Sequence, residues 1–194
     1  MKLRSVAVLA AVGSLGLVAC GDDSHSSSNA TAGTAADGTA FNEADVLFAQ
    51  SMIPHHEQAI EMADYALDPT IGASDQVRDL ATRIKGGQDP EIALMTGWLT
   101  AWGQPIQMDM SDGHDMSAMD GMMSVGEMDA LAALTGAEFD ALWVEMMIVH
   151  HRGAITMAET VKAAGSNADV IALADQVITA QQGEIVEMQA LLGG

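Results

Sequence analysis

The chain has little cysteine, few basic residues and few aromatic side chains. Cys20 is the only cysteine, which excludes an intrachain disulfide and any cysteine-rich metal site. Only 7 Lys and Arg stand against 27 Asp and Glu in 194 residues, so nucleic acid is a poor partner and cations are good ones. With aromatic residues at 4%, a core has to be built from Leu, Ile, Val, Ala and Met.

Long apolar runs are also scarce. The longest, residues 6–19, follows two basic residues and is too short to span a bilayer, which predicts a signal peptide over residues 1–19. The run ends in Leu-Val-Ala-Cys at Cys20, which resembles a bacterial lipobox and implies cleavage before Cys20 and lipid on its sulfur. An ordinary signal peptide with an incidental cysteine is the alternative. We expect an extracytoplasmic protein anchored to the cell membrane, in the periplasm or on the outer face of the cytoplasmic membrane.

Two regions follow the signal. Residues 20–40, beginning with Cys20, lack large apolar side chains and predict a flexible tether. Residues 41–194 have apolar residues at helical spacing and no strand signal, which predicts an all-α domain. Gly86, Gly87 and Pro90 should kink or break the second of its four helices. The first helix is expected to begin after Asn42 and the second after Ser74. The third should begin at a capping box of Thr135 and Glu138, and the fourth near Asn167. Asp68 should end the first helix and Gly165 the third.

Two copies of one phrase dominate the helical region. Met-Ile-x-His-His followed by Ala-Ile-x-Met-Ala occurs at residues 52–63 and at 147–158, and it contains four of the six histidines. After each copy, a Gln-x-x-Glu-Ile-x-x-Met segment begins at Gln88 or Gln181. The domain is therefore predicted to be two duplicated helical hairpins. Joined by one long crossover, residues 103–134, they would form a ferritin-like four-helix bundle.

Each phrase places possible metal ligands on one helix stripe. At roughly 100° per residue, the first Met, the first His and the last Met of a phrase share one face. The Gln, Glu and Met of each following segment share another, and bundles build metal sites from such inward-facing stripes. The candidate ligands are His55, His56, Met52, Met62, Glu91 and Met95 in the first half, and His150, His151, Met147, Met157, Glu184 and Met188 in the second.

The donor types indicate which metal to expect. Di-iron bundles use Glu-x-x-His, whereas this chain twice has Met-x-x-His. Thioethers suit Cu(I) and imidazole suits copper and zinc, so the donors predict copper. Two alternatives stay open. The methionines can be core filler, and Glu91 and Glu184 can orient histidines as hydrogen-bond acceptors instead of binding metal.

The crossover is rich in methionine. Residues 108–123 contain six methionines and one histidine among polar residues and glycine, where no core pattern explains them. Exposed Met-x-Met and His-x-Met spacings are typical of copper or silver capture in compartments where a thiol would be oxidised. A flap that covers the bundle or absorbs oxidants is the alternative. The predicted capture loop consists of Met108, Met110, His114, Met116, Met119, Met122 and Met123.

The paired phrases, each followed by Gln-x-x-Glu-Ile-x-x-Met, resemble the domain-of-unknown-function 305 family (DUF305) over residues 41–194. The resemblance implies a ferritin-like bundle outside the cytoplasm that binds Cu(I), or Ag(I) in its place, as periplasmic proteins of the CopM type do. It implies copper homeostasis, sequestration or resistance and establishes no catalytic activity. Pro90 departs from the repeat, since the second copy has Gly183 there, and this could distort the first half-site.

Two other functions are compatible with the sequence. One is a ferritin-like oxidoreductase that uses iron, manganese or copper, although the missing Glu-x-x-His pairs count against an enzyme. The other is a structural lipoprotein without metal, whose His-His pairs make only core hydrogen bonds. Copper is the expected metal, and the lipid is the only expected membrane contact. The sequence leaves open the stoichiometry, the ligating histidine of each pair, a homodimer and a copper-transfer partner protein.

Overall fold

The computed structural model describes residues 32–36, 38–108 and 119–193 of the chain. The predicted signal peptide and Cys20 lie outside these residues, as do Met110, His114 and Met116. Within the described ranges, no helix is both long and apolar enough to cross a membrane.

The architecture is all-α, as predicted, with four long helices in two hairpins. The elements in chain order are β1 (Gly33–Thr34), β2 (Ala40–Phe41), α1 (Glu43–Leu67), α2 (Asp75–Ala101), α3 (Val125–Ala132), α4 (Gly136–Ala164) and α5 (Ala168–Leu192). Helix α1 packs on α2, α4 packs on α5, and α1 and α4 form the central pair. The predicted duplication of a helical hairpin therefore corresponds to the packing.

Local capping chemistry sets most of the helix starts. Asn42 and Asp45 form a capping box at α1, and Ser74 and Asn167 cap α2 and α5 as the sequence predicts. Thr135 precedes α4, but its side chain makes no capping hydrogen bond, so the capping box predicted there is wrong. The chain instead enters α4 through Gly136 at φ +58°, and the Gly136 N–H donates to the Ile71 carbonyl at 2.8 Å.

The crossover differs from expectation, and helix α2 lacks the break that was one of the two outcomes expected for it. Helix α2 runs through Gly86, Gly87 and Pro90 without a break, because buried residues on both sides of this segment pack into the core. The crossover contains α3, which the sequence analysis missed. Ser124 and Glu127 form a capping box at its start, and this pattern could have been recognised.

The predicted tether is partly ordered. Strands β1 and β2 pair antiparallel at its end, with Gly33 opposite Phe41. The Phe41 ring stacks on Trp102 with centroids 4.7 Å apart, and Asn167 Nδ2 donates to the Ala40 carbonyl at 3.0 Å. The expectation of no strand was therefore wrong at residues 33–41, where an aromatic contact and a side-chain hydrogen bond hold a short hairpin against the bundle.

The apolar core is divided into two clusters. The Phe48 cluster joins the first half of α1 to the second half of α4, and the Trp143 cluster joins the second half of α1 to the first half of α4. Helices α1 and α4 are therefore antiparallel. The residues between the two clusters are the two His-His pairs.

Candidate metal centre

The four paired histidines occupy the middle of the bundle. His55 lies at the midpoint of α1 and His150 at the midpoint of α4, and His56 and His151 follow them. All four side chains have no exposed surface. Because α1 and α4 are antiparallel and cross at these midpoints, the two phrases meet in a single polar layer between the apolar clusters. We call these four residues the histidine layer.

His55 and His150 stack on each other at the centre of this layer. Their ring centroids are 3.7 Å apart with 35° between the ring planes. None of their ring nitrogens has a hydrogen-bond partner within the described part of the chain. Leaving a buried polar atom unpartnered costs about 1–3 kcal/mol. The unpartnered nitrogens of this pair therefore lower the stability of the fold, and their lone pairs are free to bind a cation.

The stacked imidazoles are held in their neutral form. Burial, together with the nearby His56 and His151, lowers the pKa of His55 from its ordinary value of 6.5 to about 3. The Asp120 backbone acts in the opposite direction and raises this pKa, although no His55 nitrogen makes a hydrogen bond of good geometry. Burial also lowers the pKa of His150 well below its ordinary value. Metal binding to these two rings therefore needs no proton release at neutral pH.

The other two histidines each pair with a carboxylate. His56 Nε2 lies 2.7 Å from Glu91 Oε2, and His151 Nε2 lies 2.7 Å from a Glu184 oxygen. Their Nδ1 atoms are unpartnered within the described residues. A histidine that donates one N–H to a carboxylate keeps the other nitrogen for a metal. Glu91 and Glu184 thus contact histidines as the orienting alternative expects, and the first pair, next to Pro90, is as short as the second.

The phrase methionines lie in the two clusters on either side of the histidine layer. Each cluster combines methionines from both hairpins, and Met52 and Met147 stand one helical turn from the stacked histidines. Met157 is the exception, since it is only partly buried. The Phe48 cluster holds Met52 and Met95 with Met157 packed against it, and the Trp143 cluster holds Met62, Met147 and Met188.

The crossover methionines are not all exposed, contrary to expectation. Met123 is 8% exposed and packs in the Trp143 cluster, because both its backbone N–H and its carbonyl bind the Gln58 side chain. Met108, Met119 and Met122 are half-buried, and Met108 Sδ lies 3.9 Å from the Ser51 hydroxyl. The described end of the predicted capture loop is thus attached to the bundle.

Gln88 and Gln181 were not among the predicted ligands, although the Gln-x-x-Glu stripes contain them. Both are buried one helical turn before the glutamates that contact the histidines. Among the described residues, neither amide atom of Gln88 has a hydrogen-bond partner, and the Gln181 oxygen has none either. These oxygens add two neutral donors near the histidine layer.

This donor set favours a soft or borderline metal. Across the described residues, no three His, Cys, Asp or Glu side chains are grouped so that they could hold a metal ion. A metal at the histidine layer would therefore need ligands of another kind, and the thioethers and amides nearby are the available ones. Imidazole and thioether together suit copper better than Mg²⁺, Ca²⁺ or Mn²⁺.

Comparisons with known proteins agree with the repeat. A family model described as Domain of unknown function (DUF305) matches residues 45–192. A candidate secreted DUF305 protein of Streptomyces coelicolor is 31% identical with a TM-score of 0.70, and 77% of this chain and 92% of that chain are covered. A DUF305 fragment of Deinococcus radiodurans is 32% identical with a TM-score of 0.69, at 78% and 96% coverage.

A third group of similar solved structures consists of one protein, CopM, in metal-bound forms. CopM in a Cu(II)-bound form is 33% identical with a TM-score of 0.63, and 76% of this chain and 94% of that chain are covered. CopM is also known in Cu(I)-bound and Ag-bound forms. No curated protein sequence matches the chain significantly.

Proposed function

The chain belongs to the DUF305 family, as the sequence indicated, and we propose that it binds copper at the histidine layer. The observation that carries this proposal is the stacked pair of His55 and His150, buried with unpartnered nitrogens. CopM, about as similar to this chain as the other relatives, has been solved with Cu(I), Cu(II) and Ag. The expected cargo is Cu(I), with Ag(I) as its chemical mimic.

The histidine layer and the flanking methionines supply different kinds of donor atom. His55 and His150 offer neutral ring nitrogens, and His56 and His151 each leave Nδ1 free while Nε2 is held by a carboxylate, so no more than two of these rings would bind the same ion. Sulfur from the flanking methionines completes a soft ligand set without a thiol that could be oxidised. The role is sequestration or hand-over of copper rather than catalysis, since the Glu-x-x-His pairs of di-iron oxidases are missing.

The location we propose is outside the cytoplasm, with lipid at Cys20 as the anchor. The lipobox-like sequence supports the anchor, and the Streptomyces coelicolor relative, a candidate secreted protein, supports the location. Metabolic labelling with a palmitate analogue should label the wild type and not Cys20→Ser. Equal labelling of both proteins would reject lipidation at this cysteine.

Competition for Cu(I) with a chromophoric chelator tests the binding site. His55→Gln/His150→Gln should lose affinity by more than roughly 100-fold, which exceeds the usual loss when only an orienting partner is removed. The tether variant His25→Gln is the matched control and should bind as the wild type does. Circular dichroism checks that the bundle is intact. If the double variant competes as well as His25→Gln, the histidine layer is not the copper site.

The capture loop is tested separately. Residues 109–118 contain Met110, His114 and Met116, and replacing them with a Gly-Ser linker of equal length leaves the bundle residues unchanged. Loss of one or more weaker Cu(I) equivalents, with the tight site retained, is the expected result. An unchanged titration would mean that these loop donors do not take part.

A further inference from the structure

Residues 119–123 of the crossover, which we call the strap, lie across the central helix pair. The Met122 N–H donates to the Met119 carbonyl at 3.1 Å, and Gly121 has a φ of +82°, so the strap is a turn and not a helix. It is followed by the Ser124 cap of α3. The strap therefore joins the methionine-rich part of the crossover to the bundle.

On the α4 side, the strap backbone touches the helix backbone. A Cβ on Gly153 would overlap the Asp120 carbonyl, and a Cβ on Gly121 would come within 2.9 Å of the Val149 and His150 carbonyls. This contact is possible only because both positions are glycine, and Gly121 also needs its positive φ. The strap thus lies on the turn of α4 that presents His150.

On the α1 side, one side chain holds the strap. Gln58 Nε2 donates to the Met123 carbonyl at 2.8 Å, and the Met123 N–H donates to Gln58 Oε1 at 2.7 Å. Gln58 precedes Ala59 in the first phrase as Gly153 precedes Ala154 in the second. The two copies of the repeat therefore differ at the position where each meets the strap, and each residue suits its own contact.

The strap also reaches the histidine layer. Asp120 backbone lies against the His55 ring, which stacks on His150. The long helices around the layer pack along their whole length, whereas the strap is held by the Gln58 pair, the glycine contact and the burial of the Met123 side chain. Opening the strap therefore disrupts fewer interactions than parting α1 from α4.

We propose that the strap closes one face of the histidine layer, that Gln58 and Gly153 are its positioning residues, and that metal enters and leaves when the strap lifts. This proposal rests on the proposed copper function for its cargo, but the closure itself is a property of the metal-free protein. The competing route runs past Glu91 and Glu184, whose side chains are 20% and 18% exposed.

Chemical modification of the metal-free protein tests the closure. Diethylpyrocarbonate acylates accessible neutral imidazoles, and peptide mapping reports each site. Gln58→Ala should raise the modification rate of His55 and His150 by roughly tenfold, the order expected when the two hydrogen bonds of the half-buried Gln58 amide are lost. Gly153→Ala, whose added Cβ would overlap the Asp120 carbonyl, should raise it as well. The controls are Gln176→Ala, an exposed glutamine of α5, and Gly97→Ala, where an added Cβ meets nothing within 4 Å.

Metal transfer tests the consequence. With Ag(I) or Cu(I) loaded, Gln58→Ala should release metal to a chelator roughly tenfold faster while the equilibrium affinity changes less than the rate. Faster histidine modification without any metal binding would leave the closure standing and reject the copper function. Wild-type modification and release rates in Gln58→Ala would overturn the closure and favour the route past the glutamates. Gln58→Ala decides the matter if Gly153→Ala does not fold.

Discussion

The two hairpins have the same centre and different ends. At the centre, both His–Glu pairs measure 2.7 Å and one histidine from each hairpin joins the stacked pair. At the ends, Asp45 and Asp140 occupy the same repeat position with unequal roles. Asp45 is fully buried and accepts from four donors, whereas Asp140 is half-buried and, among the described residues, accepts only from the Ser74 N–H. The two copies of the repeat thus have equal histidine–glutamate distances and different supporting contacts.

The strap shows the same divergence beside the site. A single segment crosses both helices of the central pair, so the two copies of the repeat cannot both meet it in the same way. The first copy provides the amide of Gln58, and the second provides the space at Gly153. The two halves therefore have equal histidine–glutamate distances and unequal contacts with the strap.

The largest expected effect is the loss of stability at low pH, which depends on the stacked histidines at the centre of the two hairpins. Because the folded pKa values of His55 and His150 are lowered, the unfolded chain takes up protons that the folded protein cannot, and stability falls as pH drops below 6.5. The pair should cost roughly 3 kcal/mol between pH 6.5 and pH 5, and the loss at His55 should continue toward pH 3. Urea unfolding of the metal-free protein at pH 7, 6 and 5 measures this.

Glutamine substitutions identify the source of that acid sensitivity. His55→Gln and His150→Gln should each remove about half of the pH dependence, and the double variant should remove most of it. If the double variant keeps the wild-type dependence, the buried carboxylates and not the stacked histidines control acid stability.

The unequal ends predict unequal losses of stability. Asp45→Ala leaves four donors, one at the start of α1 and three at the start of α5, without their acceptor and should cost about 3 kcal/mol, whereas Asp140→Ala should cost about 1 kcal/mol. Asp129→Ala removes an exposed carboxylate and is the control. Urea midpoints at pH 7 give the comparison. Equal costs for the two variants would show that burial of Asp45 adds nothing.

Equal carboxylate pairs predict equal effects on copper affinity. Glu91→Gln and Glu184→Gln should each weaken Cu(I) binding by roughly 10–100-fold, the range for partners that orient a ligating histidine. The exposed Glu145→Gln is the control for lost charge. Chelator competition measures all three. A large loss in one variant and none in the other would mean that the halves bind metal unequally, despite their equal distances.

Local chemistry made much of this fold predictable. Asn42, Ser74 and Asn167 cap helices through hydrogen bonds that span two or three residues, and such patterns are visible in sequence. The internal repeat predicted the paired hairpins. The short helix α3 and the β1–β2 hairpin were missed. The hairpin depends on the Phe41–Trp102 stack, which joins distant parts of the chain.

The site was predictable in its residues and not in its arrangement. The repeat identified His55 and His150 as candidates, but their stacking depends on where α1 and α4 cross. The roles of Glu91 and Glu184 could not be chosen from spacing alone, because a ligand and an orienting acceptor occupy the same stripe. Gln58 was missed for a similar reason, since its partner is the backbone of Met123, 65 positions along the chain.

Pro90 was expected to kink or break α2, but the helix is continuous there. Substitutions at Pro90 and at the matching position of the second half should therefore give the smallest difference in stability between the halves. A proline inside a helix costs about 3 kcal/mol, of which unfolded-chain stiffness offsets about 0.4–1 kcal/mol, so Pro90→Ala should stabilise the protein by about 2 kcal/mol. Gly183→Ala, at the same repeat position, should stabilise it by about 0.8 kcal/mol because nothing crowds the new Cβ.

These two variants separate helix stability from binding. Both positions precede a glutamate that holds a histidine at 2.7 Å, so copper affinity should stay unchanged in both while the urea midpoints rise. If Pro90→Ala gains no more stability than Gly183→Ala, the proline imposes no cost on α2 and the helix accommodates it. If Pro90→Ala instead strengthens copper binding, the proline strains the first half-site in a way that the equal distances conceal.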